Sequence, residues 1–270
     1  MKKISLPLAL LLTSNMAFGF DFSSLADSFM STSTDTKTKT ATKQTPDTTL
    51  RSSVVSDGLK EALKLGVDYG VKELSKKDGY LNNKDVKIPL PENLEKIESV
   101  VRGVGGDKVA DDLIIAMNTA ATQAAPKIAS IFIDSVDKMS IDDAKKILAG
   151  GDEAATDYFE KHTSTSLSQM IKPIVQESMK ENDVAKYYDK FNSFYKENLK
   201  ESVESSSLMG MAKSFGVDSY LPSASDEELD DFVTKKAIAG LFTMIASKES
   251  QIRKDPVAQT TDLLRDVFGN

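Results

Sequence analysis

From Ser53 onward, apolar residues recur every three or four positions over most of the chain, the spacing of one helix face. Val55, Leu59, Leu63, Val67, Val71 and Leu74 form the first such stripe. Gly58, Ala62, Gly66 and Gly70 recur every four residues on the same helix. Glycine costs a helix interior about 1 kcal/mol relative to alanine, and a small-residue stripe offsets that cost by letting a second helix come close. Asp107 to Lys138 is the most apolar stretch: Val109, Leu113, Met117, Ala120, Ala124, Ile128 and Ile131 make one face, widened by Ile114, Ile115, Phe132 and Ile133. Its width predicts a central helix, and Pro126 inside it predicts a kink or a division.

Start and stop signals divide the rest. They predict helices over 92–102, from Ser140 to Gly150-Gly151, over 152–162, over 164–180 and over 183–199, with a short helix and loop over 205–222. Ser225 with Glu228 opens a long helix to about Lys254, with Leu229, Phe232, Val233, Ala237, Leu241, Met244 and Ile245 on its apolar face. Asp255-Pro256 starts a last helix that Gly269 ends. Extended character is confined to 78–91, where Val86-Lys87-Ile88 alternates and Pro89 and Pro91 forbid helix. Tyr80-Leu81 and Val86 to Ile88 predict one tiny β-hairpin near residues 79–88. The expectation is an all-α, single compact domain of about eight to ten helices over residues 53–270.

The first 52 residues follow different rules. Lys2 and Lys3, a short apolar run from Ile4 to Leu12, and small residues at Ala17 and Gly19 read as a signal peptide over 1–19, with Ala17 and Gly19 as the signal-peptidase recognition positions. The apolar run is too short to span a bilayer, so no transmembrane anchor is expected. Residues 20–52 read as a disordered Thr/Ser/Lys-rich tether, without enough apolar surface to offset the entropy of ordering. The chain has no cysteine. That excludes disulfides, thiolate metal sites, a cysteine nucleophile and a lipid-acylated terminus. The net charge is −7, and becomes −9 when Lys2 and Lys3 leave with the leader. Such a chain is unsuited to neutralising phosphates, so nucleic acid is not an expected partner.

Chemical motifs are sparse. There is no G-x-S-x-G, Walker A, H-E-x-x-H or G-x-G-x-x-G. His162 is the lone histidine and reads as a surface residue at a helix C-terminus, where a cation suits the dipole. The Ser-x-x-Lys matches at Ser135/Lys138 and Ser193/Lys196 lack the companion elements of penicillin-binding enzymes. Glu98-Ser99 and Glu177-Ser178 resemble the Glu-Ser pair of lytic transglycosylases, and Leu208-Met209-Gly210 faintly echoes another of their segments. Without tryptophan, sugar stacking is weakened. The pairs Asp111-Asp112, Asp142-Asp143, Glu227-Glu228 and Asp230-Asp231 sit in or near first helical turns, where acids favour the dipole. Gly103 to Gly106 reads as a turn, because Asp107, Asp111 and Asp112 would repel a phosphate. Methionines such as Met117, Met139, Met170, Met209, Met211 and Met244 read as core filling or the lining of an apolar groove.

Several segments together resemble a bacterial exported family, domain of unknown function 4197. They are Gly58 to Leu63, Asp78 to Asn82, Val86 to Pro91, Met117-Asn118 with Ala120-Ala121, Ala125-Pro126, Ala144 to Leu148, Gly151-Asp152 and Ala154 to Thr156 with Tyr158-Phe159. Toward the C-terminus they are Val233-Thr234, Lys236-Ala237, Gly240 to Phe242, Ile252-Arg253, Asp255-Pro256, Thr260 to Leu264 and Val267 to Gly269. The resemblance covers about residues 57–269 and departs at Thr119 and Thr122, where the pattern has a basic and an acidic residue. It implies export and one helical domain, and it implies no activity, ligand or site. No catalytic, cofactor or metal residue is therefore assigned. The expected function is a non-catalytic periplasmic binding or interaction protein, whose partner is a protein or an apolar ligand. The alternatives are a cell-envelope hydrolase or lyase using carboxylates, and a carrier of a lipid or other apolar ligand.

Overall fold

A computed structural model describes the backbone of residues 46–140, 144–204 and 226–269, and side chains over 52–95, 97–140, 144–198 and 229–269. Eight α-helices follow in order among these residues: α1 (Pro46–Leu74), α2 (Glu92–Gly103), α3 (Asp107–Asp137), α4 (Ala144–Leu148), α5 (Ala154–Glu181), α6 (Val184–Glu204), α7 (Asp226–Lys254) and α8 (Asp262–Phe268). A 3-10 turn over Pro256–Ala258 joins the last two. The chain is all-α. The signal-peptide positions Ala17 and Gly19, the segment over 205–222, Met209, Met211 and the pair Asp142-Asp143 lie outside the described residues. Among the described residues no helix is long and apolar enough to cross a membrane.

Helix α3 is central, as its apolar width predicts. It packs against α1, α2, α5, α6 and α7, and Leu113, Met117, Ala120, Ala124, Ile128 and Phe132 are fully buried. Pro126 does not divide it. The ring is exposed, while buried residues on the opposite face hold both halves in line. Pro173 lies likewise on the exposed face of α5. The helices expected over 152–162 and 164–180 are one continuous helix, because Thr163 and Ser164 bond back to the carbonyls of Phe159 and Glu160 rather than starting a new one. Phe132, Phe159 and Phe242 bring α3, α5 and α7 together at centroid distances of 6.1, 5.2 and 5.6 Å.

The glycine stripe works as a close-approach surface. A Cβ built at Gly66 would lie 2.9 Å from Ile245 Cγ2 and 3.2 Å from its Cα, and one at Gly70 would lie 2.6 Å from Leu241 Cδ1. Gly58 meets Val267 of α8 in the same way. Helix α1 begins at Pro46, inside the stretch that composition assigned to the tether. Proline suits a first helical position, where its missing N–H costs nothing.

The β-hairpin expected near residues 79–88 is absent: residues 78–86 run as successive turns, and no strand occurs among the described residues. Asn83 O accepts from both Val86 N–H and Lys87 N–H, closing a turn where a ladder would need open strands. The backbone groups of Ile88 that a partner strand would take are bound instead by the Asn118 side chain. Asn118 Oδ1 accepts from Ile88 N–H at 2.9 Å, and its Nδ2 donates to Ile88 O at 2.7 Å and Ile114 O at 2.8 Å. The final helix also begins later than predicted. Asp255 caps the 3-10 turn through Val257 N–H, and Thr261 caps α8 through Leu264 N–H.

Candidate functional site

Helices α5 and α7 run antiparallel. Phe159 meets Phe242 near one end, and Lys172 pairs with Asp231 and Gln176 with Asp230 at the other. Toward the N-terminus of α5 the two helices leave a groove of about 570 Å³. Its α5 wall carries Thr156, Asp157 and Glu160, with Glu153 at the helix N-cap in line with them. Its α7 wall carries Thr243, Ser247, Ser250 and Gln251, with Ala239, Phe242 and Ala246 as the apolar floor. Both walls follow the i, i+3, i+4, i+7 spacing of a single stripe. The α7 residues are short and leave the space between the two helices unfilled. The three carboxylates have no cationic partner among the described residues. Partial burial raises the Glu160 carboxyl above its ordinary value, and the negative charge of Asp157 one turn away adds to the rise.

Behind the α5 wall sits Glu249, fully buried. Its Oε1 accepts from Ala155 N–H at 3.0 Å, and its Oε2 accepts from Thr156 N–H at 2.8 Å and the Thr156 hydroxyl at 2.7 Å. The carboxylate therefore caps the positive end of α5 from another helix. Arg253, one turn on, donates from Nε to Glu249 Oε1 at 2.8 Å and reaches the carbonyls of Leu148 and Ile147. Its guanidinium lies 5.3 Å from the centre of the Phe268 ring. This junction joins α4, α5, α7 and α8. Its central residue reads, in sequence, as an ordinary exposed Lys-Glu-Ser-Gln stretch, so no apolar or motif signal marks it.

The structure scatters the residues singled out by sequence. His162 lies inside α5, not at its C-terminus. Its ring stacks on Tyr158 at 4.0 Å and Nδ1 contacts Tyr158 O at 2.8 Å. Glu98 is paired with Arg102, which also binds Asp111 at 2.7 Å and so keeps its charge. Glu177 is exposed while Ser178 is buried, so that pair does not share a cleft. Ser135 bonds to Ile131 O within its own helix. Asp112 pairs with Lys108, and Asp230 and Asp231 tie α7 to α5. Gly106 is packed under Val101 and Phe194, closing the α2–α3 turn. Met117 is core; Met170 is 45 % exposed. Thr122, at one position of departure from the family pattern, accepts from Tyr80 N–H at 3.4 Å, and Thr119 donates to Ile115 O. Among the described residues no cluster of three or more His, Asp or Glu is arranged to hold a metal.

A protein-family model described as "Protein of unknown function (DUF4197)" matches residues 49–269. No curated protein and no solved structure matches the chain.

Proposed function

The chain belongs to the DUF4197 family, and from that premise we propose that it is a non-catalytic binding protein of the periplasm, seated on its partner through the groove between α5 and α7. The observation that carries this reading is the groove itself: about 570 Å³, one wall of carboxylates, the other of hydroxyls and an amide. Unpaired carboxylates facing hydrogen-bonding side chains suit a positively charged ligand that also bears hydroxyl or amide groups. An apolar cargo would strand these polar groups without partners. Export follows from the leader over 1–19, cleaved after Gly19.

The test is native mass spectrometry of the protein recovered from its export compartment, beside Ala246→Trp, which fills the groove from its floor. The expected result is a chain starting at Phe20 that carries extra mass in the wild type and none in the variant. A bare wild-type chain, or bound mass that survives the tryptophan, removes the reading.

A second reading uses the same groove for envelope hydrolysis or lysis. Glu160 favours it, since a carboxyl raised by burial is the kind that donates a proton. Release of soluble fragments from purified envelope polymer by the wild type, lost in Glu160→Gln, would establish it; no release would end it.

A further inference from the structure

The buried Glu249 carboxylate is held as a bound ligand would be, with two backbone amides and a hydroxyl on one side and a guanidinium on the other. None of these donors belongs to Glu249, and they come from positions 93 and 94 residues away in α5 as well as from Arg253. The Arg253 side chain is itself nine-tenths buried, at 10 % exposure. Its remaining contacts are the carbonyls of Ile147 and Leu148 and the Phe268 ring, none of which carries a negative charge. Helix amides at an N-terminus and a planar guanidinium are the two groups best matched to a carboxylate.

We propose that this junction is a built small-carboxylate site which the chain fills with its own side chain, and that its occupancy governs how α4, α5 and α8 dock on α7. Shortening Glu249 to alanine removes four heavy atoms: Cγ, Cδ and the two oxygens. Acetate has the same four. The emptied cradle keeps its donors, and an uncompensated buried guanidinium drives anion uptake.

Thermal melting of the full chain tests this in sodium acetate against sodium chloride at equal ionic strength. Glu249→Ala should melt well below the wild type and regain much of the difference in acetate, saturating with concentration as a single site does. The wild type, its cradle filled, should respond to the two salts alike. Propionate, one carbon longer, should rescue poorly. In Glu249→Ala with Arg253→Met the acetate response should vanish. If Glu249→Ala is unfolded in chloride, recovery of a cooperative melt in acetate alone is the same positive result. Equal behaviour of Glu249→Ala in acetate and chloride, including failure to fold in both, overturns the proposal, as does an unchanged acetate response in the double variant.

Discussion

Helix α7 has two faces, and they are built by opposite rules. Toward α1 and residues 75–91 it is sealed. Gly66 and Gly70 bring α1 against Ile245 and Leu241, and the Tyr80 ring fills the space above Gly240. The Tyr80 hydroxyl there meets a partner, donating to Ala237 O at 2.7 Å, whereas the buried hydroxyls of Ser56 on α1 and Thr234 on α7 have none among the described residues. Toward α5 the same helix opens into the groove, and the carboxylates there face no cation among the described residues. Buried polar groups without partners cost folding free energy, so an open polar face is not what packing alone selects. A face left open and polar beside a sealed one is where a binding role would be sought.

The sharpest way to break the sealed side is Asn118→Ala. It leaves Ile88 N–H, Ile88 O and Ile114 O buried with a bond fewer each. Unmet buried groups cost about 1–3 kcal/mol apiece, so a loss of about 3 kcal/mol is expected in urea unfolding. A loss below about 1 kcal/mol would mean that water or a shifted backbone replaces the amide, and the contrast with the groove would fail.

Tyr80→Phe is a milder probe of the same face. Burial raises the Tyr80 phenol far above its ordinary value, so it stays a proton donor at every pH the protein meets. Removing the hydroxyl should cost about 1 kcal/mol, the usual net worth of one buried hydrogen bond. Thermal denaturation reads it, and no change would show that Ala237 O is satisfied within its own helix.

The sealed face was largely legible from sequence, and the open one was not. Leu59, Leu63, Val67, Leu241 and Ile245 announce themselves by apolar spacing, and all five are fully buried. The glycine stripe was readable for the same reason, since small residues at every fourth position have one common use in helix packing. Turn-rich 78–88 misled because Val86 and Ile88 have strand-like side chains, while the partner of their backbone, Asn118, lies 30 residues from Ile88. Glu249 is less visible still. A charged residue between Lys248 and Ser250 reads as solvated, and its burial is decided by amides 93 and 94 positions earlier. The groove escaped because it is made of what two helices leave unfilled. Thr243, Ser247 and Ser250 form a short, polar stripe beside a long apolar one.

The smallest expected effect tests the open face. Glu160 binds its proton more tightly in the folded chain than in the unfolded one, because burial and Asp157 both disfavour its charge. In the pH range just above the ordinary carboxylate value, the folded state therefore holds more protons than the unfolded state. Stability should rise as pH falls through that window and be lowest where Glu160 is ionised in both states. Glu160→Gln should accordingly leave the protein slightly more stable at neutral pH, by no more than ~0.3 kcal/mol, since solvent screens this exposed carboxylate. The variant should also flatten that part of the pH profile, read as the melting temperature across the window. Asn118→Ala, which does not line the groove, should lower the whole profile without changing its slope there. A Glu160→Gln chain that is less stable than the wild type at neutral pH would mean the carboxylate already has a favourable partner. The groove would then be as closed, electrostatically, as the face opposite.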